Sequence, residues 1–211
     1  EHDAALEIAA RDSLGVRPDV IVGTSIGAIV GALYASGLSA KQIDSLTRTL
    51  PLGEVSRTLT NRTPHEWGSM LPLVVWEQGA RNLSLTTGGI SELQTNAVLN
   101  RVLLRANLAA RGDFDSLPIR FRAVATDLRS REAVAFRDGD LAQAVRASIA
   151  IPLVFSPERI GNRVFIDGGI SANLPIAAAR TAGAIRLIVV DLKDDLAADT
   201  GEVSSPGAVA G

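Results

Sequence analysis

With 211 residues, 46% of them hydrophobic, and a mean hydropathy of +0.21, the chain can bury one sizeable core and does not have a disordered composition. A formal net charge of −2 and an isoelectric point near 5.7 supply no broad basic field, which argues against nucleic acid as a partner. The absence of cysteine excludes disulfides, thiolate metal ligands and a cysteine nucleophile.

Taken in order, the start Glu1-His2-Asp3 has neither a basic region nor an apolar one, so no signal peptide is read there, and localisation stays open between the cytoplasm and a secreted or cell-surface passenger. Apolar spacing from about Ala4 to Ser13 predicts a helix, and Gly15 and Pro18 reset the chain before a short strand, Asp19 to Val22. The turn Gly23 to Gly27 leads into a small-residue helix, Ala28 to Ser36. The apolar run there, Ile26 to Ala35, is far short of the roughly 20 residues that cross a bilayer. Ser39 is placed to cap a further helix, about Ala40 to Leu50, which Pro51 stops.

Periodicity fades from Leu52 to Thr87, where Trp67 to Trp76 is rich in apolar residues. That segment suits either an ordinary core excursion or an apolar lip for peripheral membrane contact. The pattern then predicts a long helix (Ser91 to Ala109), strands (Ile119 to Thr126 and Glu132 to Phe136), a helix (Leu141 to Ala150) and a strand (Arg163 to Ile166). A helix from Pro175 to Ala182 and a buried strand from Arg186 to Asp191 complete the order. Residues 1–192 read as one domain and 193–211 as a linker or disordered tail.

Strands alternating with helices predict an α/β sheet covered on both faces, with its site beyond the carboxyl ends of strands. Ser25, Asp127, Asp167 and Asp191 are expected at such ends. Gly23-Thr24-Ser25-Ile26-Gly27 has the form G-x-S-x-G between a strand and a helix, the setting of a nucleophilic serine. Gly23 and Gly27 allow a steep turn, and the helix start aims its free N–H groups, Ile26 foremost, at a developing oxyanion. The plainer reading is that Ser25 only caps the helix.

A serine nucleophile needs a base. The chain holds two histidines, His2 and His65, and neither follows a candidate acid, so the order serine, acid, histidine is ruled out. The base should then be a carboxylate. Asp167, followed by Gly168 and Gly169 in a tight turn, competes with Asp127 and Asp191. A plain Asp-Gly turn, an ion pair with Arg129 or Arg131, and a strand-end cap are the respective structural readings.

With these pieces in place, the chain resembles the bacterial patatin-like phospholipases from about Gly15 to Leu192. The resemblance rests on Gly23 to Gly37, Arg122 to Leu128, Val145 to Pro152, and Asp167-Gly168-Gly169 with Asn173-Leu174-Pro175. It implies a three-layer α/β/α sandwich with a mostly parallel central sheet and a Ser25–Asp167 dyad. It also implies an acyl-enzyme on Ser25, a lipid or phospholipid ester as substrate, and no metal or organic cofactor. The family pattern opens with a strand and a glycine-rich loop that completes the oxyanion hole. Nothing of that kind precedes Ala4, and loss of one such donor costs on the order of 10² to 10³ in rate. Two other functions fit the same residues: an acyltransferase, or a non-catalytic lipid-binding module that retains the dyad.

Overall fold

The computed structural model describes residues 17–49, 73–75, 84–86, 92–152 and 154–191. The expected first helix, both histidines, both tryptophans and the tail lie outside them. The β-branched run of β1 (Val20–Thr24) enters α1 (Ile26–Ala35), whose Ala28, Ile29, Val30, Ala32, Leu33 and Ala35 are buried. In α2 (Ala40–Thr49) a capping box forms: Ser39 N donates to Gln42 Oε1 at 2.9 Å, and Gln42 N to Ser39 Oγ at 3.4 Å. Of the Trp67 to Trp76 segment only β2 (Leu73–Val75) is described, paired antiparallel with β3 (Ser84–Thr86).

The helix α3 (Glu92–Ala110) leads through a 3₁₀ turn, Phe114–Ser116, to the central strand β4 (Arg120–Asp127) and then β5 (Ala133–Phe136). Asp140 caps α4 (Leu141–Ser148), its Oδ1 accepting from Gln143 N at 2.8 Å. The hairpin of β6 (Glu158–Ile160) and β7 (Arg163–Asp167) follows, then the short helices α5 (Gly169–Ala172) and α6 (Ile176–Thr181).

The architecture is the expected three-layer one. Phe121 and Ala123 of β4 join a core with α1, α3 and α4. On the opposite face, Thr126 meets Ser171 of α5, their hydroxyls 2.8 Å apart, and Arg120 reaches the carbonyl of Ala182 after α6. Among the described strands the sheet is mixed rather than mostly parallel. The β1–β4 ladder is parallel, whereas β4–β5, β4–β7 and β6–β7 are antiparallel. Connection length is the reason: residues 128–132 and Gly161-Asn162 are too short to cross over a sheet and can only double back.

Asp191 does not end a strand. The expected strand Arg186 to Asp191 has no ladder partner among the described strands, and an apolar strand without one is not held in a core. Ile185, Ile188 and Val189 are accordingly 87%, 60% and 48% exposed.

The register of β4 explains the meeting of two distant turns. Val124 pairs with Thr24 and Ala135, while the next residue, Ala125, pairs with Asp167 and Val134. Because β5 occupies one edge of β4 from Ala123 to Thr126, where the ladders of β1 and β7 meet, β1 and β7 share the other, running towards each other and ending head to head. Ser25 cannot continue β1 without entering the place of Asp167, nor can Gly168 continue β7 without entering that of Thr24. Both chains must leave the ladder at the same point.

Candidate active site

Ser25 leaves the ladder with φ 52° and ψ −124°, a conformation a non-glycine residue holds at about 1–3 kcal/mol of strain. Its side chain makes no capping hydrogen bond to α1, so the reading of Ser25 as a helix cap is set aside. Its carbonyl accepts from Ala28 N at 2.8 Å. The Ile26 and Gly27 N–H groups have no hydrogen-bond partner among the described residues, and they sit at the positive end of the α1 dipole.

Of the two glycines flanking the serine, only Gly23 is sterically obligatory. A Cβ there would run into the Gly27 carbonyl and lie 2.7 Å from Ala28 N, whereas a Cβ on Gly27 meets nothing within 4 Å among the described residues. Gly27→Ala is expected to be tolerated, and to stabilise the helix by about 0.5–1 kcal/mol, since alanine loses less backbone entropy there. A thermal melt and the reactivity of Ser25 check this, and a lowered melting temperature would contradict it.

Asp167 is 6% exposed. Its Oδ1 accepts from Gly169 N at 2.7 Å, and its backbone is pinned by Asp167 N to Ala150 O at 2.9 Å and by Thr126 Oγ1 to Asp167 O at 2.8 Å. Oδ2 is buried and accepts no well-formed hydrogen bond. The Ser25 hydroxyl is nonetheless near enough to favour the charged carboxylate, a close approach short of a formed hydrogen bond. Burial dominates and raises the Asp167 pKa above its ordinary value of 3.8, against the lowering by Ser25 and by Gly169 N–H. Gly168 and Gly169 present this carboxyl by allowing close approach rather than by a left-handed turn. Gly168 has φ −67°, and a Cβ there would strike the Val124 carbonyl and come 3.0 Å from Thr24 Cγ2. A Cβ on Gly169 would lie 2.9 Å from Asp167 Oδ1.

Asp127, the rival carboxylate, is committed elsewhere. Its Oδ1 accepts from Arg129 N at 2.7 Å and Ser130 N at 3.0 Å, and its Oδ2 pairs with Arg163 Nε at 2.5 Å. The Ser130 N–H, then Arg163 and the Arg129 N–H, hold its pKa below the usual carboxylate value, the opposite of what a base needs. The ion-pair partner is thus Arg163, not Arg129 or Arg131. Asp191 is exposed and lies in no described strand.

One residue at the centre of the site carried no role in the sequence reading. Ser148, fully buried at the end of α4, donates to Val124 O at 2.6 Å and accepts from Ser25 N at 2.9 Å. Its own carbonyl accepts from Gly168 N at 3.3 Å. Only the run Val145 to Pro152 pointed towards it, and that run has no spacing that marks a polar tie. Among the described residues no group of three or more His, Asp and Glu side chains is placed to hold a metal ion, and no helix is long and apolar enough to cross a membrane.

Residues 4–180 match the family model described as patatin-like phospholipase. An uncharacterized NTE family protein of Mycobacterium bovis is 33% identical over 172 residues, which are 82% of this chain and 40% of that protein. Patatin-like phospholipase domain-containing protein 6 of Mus musculus is 27% identical over 187 residues, 88% of this chain and 12% of that protein. The chain thus spans well under half the length of these relatives. The crystal structure of VipD from Legionella pneumophila aligns with a TM-score of 0.47 at 15% identity, covering 82% of this chain and 44% of that one. With a family model matched from residue 4 to residue 180, the chain belongs to the patatin-like phospholipase family.

Proposed function

We propose that the protein is a serine lipid acyl hydrolase that cleaves carboxylic esters of phospholipids or related lipids through Ser25 and Asp167. The observation that carries the reading is the pairing of a strained, non-capping serine with a buried carboxylate that keeps one oxygen free of well-formed hydrogen bonds. Family membership supports the lipid ester as the substrate class.

In this mechanism Asp167 takes the Ser25 hydroxyl proton as Oγ attacks the acyl carbonyl carbon. The oxyanion lies at the start of α1, where the Ile26 and Gly27 N–H groups, without a partner among the described residues, favour it. Collapse breaks the ester bond and leaves the acyl group on Ser25, and the departing alcohol takes the proton from Asp167. Water then attacks the acyl-enzyme with Asp167 again as base, releasing the fatty acid and restoring the hydroxyl. The raised pKa of Asp167 makes it a stronger base than a solvated aspartate, and its burial keeps water from competing for the serine proton.

The test is fatty-acid release from phosphatidylcholine and phosphatidylglycerol vesicles by the full-length protein. Release that falls by about 10³-fold or more in Ser25→Ala is expected. Release that Ser25→Ala leaves unchanged would refute the reading, and transfer of the acyl group to an added alcohol in preference to water would reassign the protein as an acyltransferase.

A further inference from the structure

We infer that Ser148 is a positioning residue for this site, tying the serine turn and the aspartate turn to the central strand through a single buried hydroxyl. The inference deepens the hydrolase reading and rests on it for its kinetic consequence. Three bonds converge on one residue: Ser25 N–H to Ser148 Oγ at 2.9 Å, Ser148 Oγ–H to Val124 O at 2.6 Å, and Gly168 N–H to Ser148 O at 3.3 Å. The first two set the hydroxyl's only proton on Val124 and turn a lone pair towards Ser25.

This arrangement has a physical purpose at the junction of β1 and β7. Ser25 must turn out of the ladder with positive φ, and its N–H, at the head of β1, has no strand partner to bond. A buried amide left unpaired is costly, and a strained residue relaxes unless its surroundings fix it. Ser148 answers both needs. It gives the N–H a partner and anchors that partner to Val124, the residue whose pairing with Thr24 marks the end of β1.

Its carbonyl holds Gly168 next to Asp167, so α4 sets the two turns in one frame. Around it α4 is itself fixed: Arg146 Nε donates to Asn96 Oδ1 of α3 at 3.0 Å, and its guanidinium stacks over the Phe155 ring at 4.8 Å. Binding of the Ser25 N–H by Ser148 also removes that N–H from the oxyanion site, leaving those of Ile26 and Gly27 for the role.

Two measurements test the assignment. In Ser148→Ala, kcat per folded molecule for the phospholipid ester is expected to fall about 10- to 100-fold with KM nearly unchanged, because misplacement of the nucleophile acts on the reacting geometry and not on lipid binding. Ser148→Thr, which keeps the hydroxyl, is expected to recover most of the loss. A folded Ser148→Ala protein with wild-type kcat, or a folded Ser148→Thr protein as slow as the alanine variant, overturns the role.

The second measurement is amide hydrogen exchange in the unaltered protein. It needs neither variant to fold and does not depend on hydrolysis. The Ser25 amide is expected to exchange more than 10-fold more slowly than those of Ile26 and Gly27, and equal rates would overturn the tie. Loss of the hydrolase reading in the vesicle assay would leave this exchange result standing, so the two failures are separable.

Discussion

Asp167→Asn is expected to lower kcat for phospholipid ester cleavage by about 10³- to 10⁴-fold while raising the melting temperature at neutral pH. The loss follows from removing the buried carboxyl that, among the described residues, lies beside Ser25, since Asp127 is bound to Arg163 and to the N–H groups of residues 129 and 130. The gain follows from the direction of the pKa shift. Burial raises the folded-state pKa of Asp167 above 3.8, so the folded protein binds the proton more tightly than the unfolded chain. The stabilisation that this provides is fully present below the unfolded value and is lost as pH rises through the folded one. At neutral pH the native state therefore holds a desolvated charge.

An asparagine removes that charge and can still accept from Gly169 N. The melting difference between the variant and the unaltered protein should shrink as pH is lowered below the ordinary carboxylate range, and the activity of the unaltered protein should fall in acid with an apparent pKa above 3.8. A variant that is less stable at pH 7, or an acid limb at or below the ordinary aspartate value, would mean that burial does not dominate at this carboxyl.

The second large effect is steric. Gly168→Ala is expected to destabilise the fold by about 3 kcal/mol or more, or to remove activity by displacing Asp167, because the new Cβ would collide with the Val124 carbonyl and press on Thr24 Cγ2 at 3.0 Å. The obstacle is backbone of the central strand, which cannot rotate aside. β1 and β7 end against each other at this point, so any shift of Gly168 away from β4 carries the Asp167 carboxyl with it. The thermal melt and the kcat of the folded fraction measure the two effects separately. An alanine variant with native stability and full activity would show that the turn has room the geometry denies.

Much of the fold was legible because the relevant signals were local. The β-branched run before Gly23 and the small-residue run after it define β1 and α1, and Ser39 as a cap marks the start of α2. The strand orientation was not legible from alternation alone: the short turns after β4 and β6 reverse the chain, so the sheet is mixed. The run Arg186 to Asp191 has the composition of a buried strand, but a strand also needs a neighbour, and composition does not supply one. At the site, the elimination of histidine and the paired glycines pointed to Asp167, and its carboxyl lies near the Ser25 hydroxyl. The reason that they meet, two strands ending head to head on one edge of β4, depends on register across residues far apart in sequence. Ser148 was invisible for the same reason, since its partners Val124, Ser25 and Gly168 share no spacing with it. The G-x-S-x-G form does not tell which glycine faces backbone and which faces open space.

The most direct test of the pairing of Ser25 with Asp167 is covalent labelling of the full-length protein by a fluorophosphonate, with the adduct located by peptide mass spectrometry. A single adduct on Ser25, formed at a rate that falls at least about 100-fold in Asp167→Asn, is the predicted result. Labelling of a folded protein that is absent, or that proceeds on Ser25 at the same rate without the Asp167 carboxylate, would contradict it.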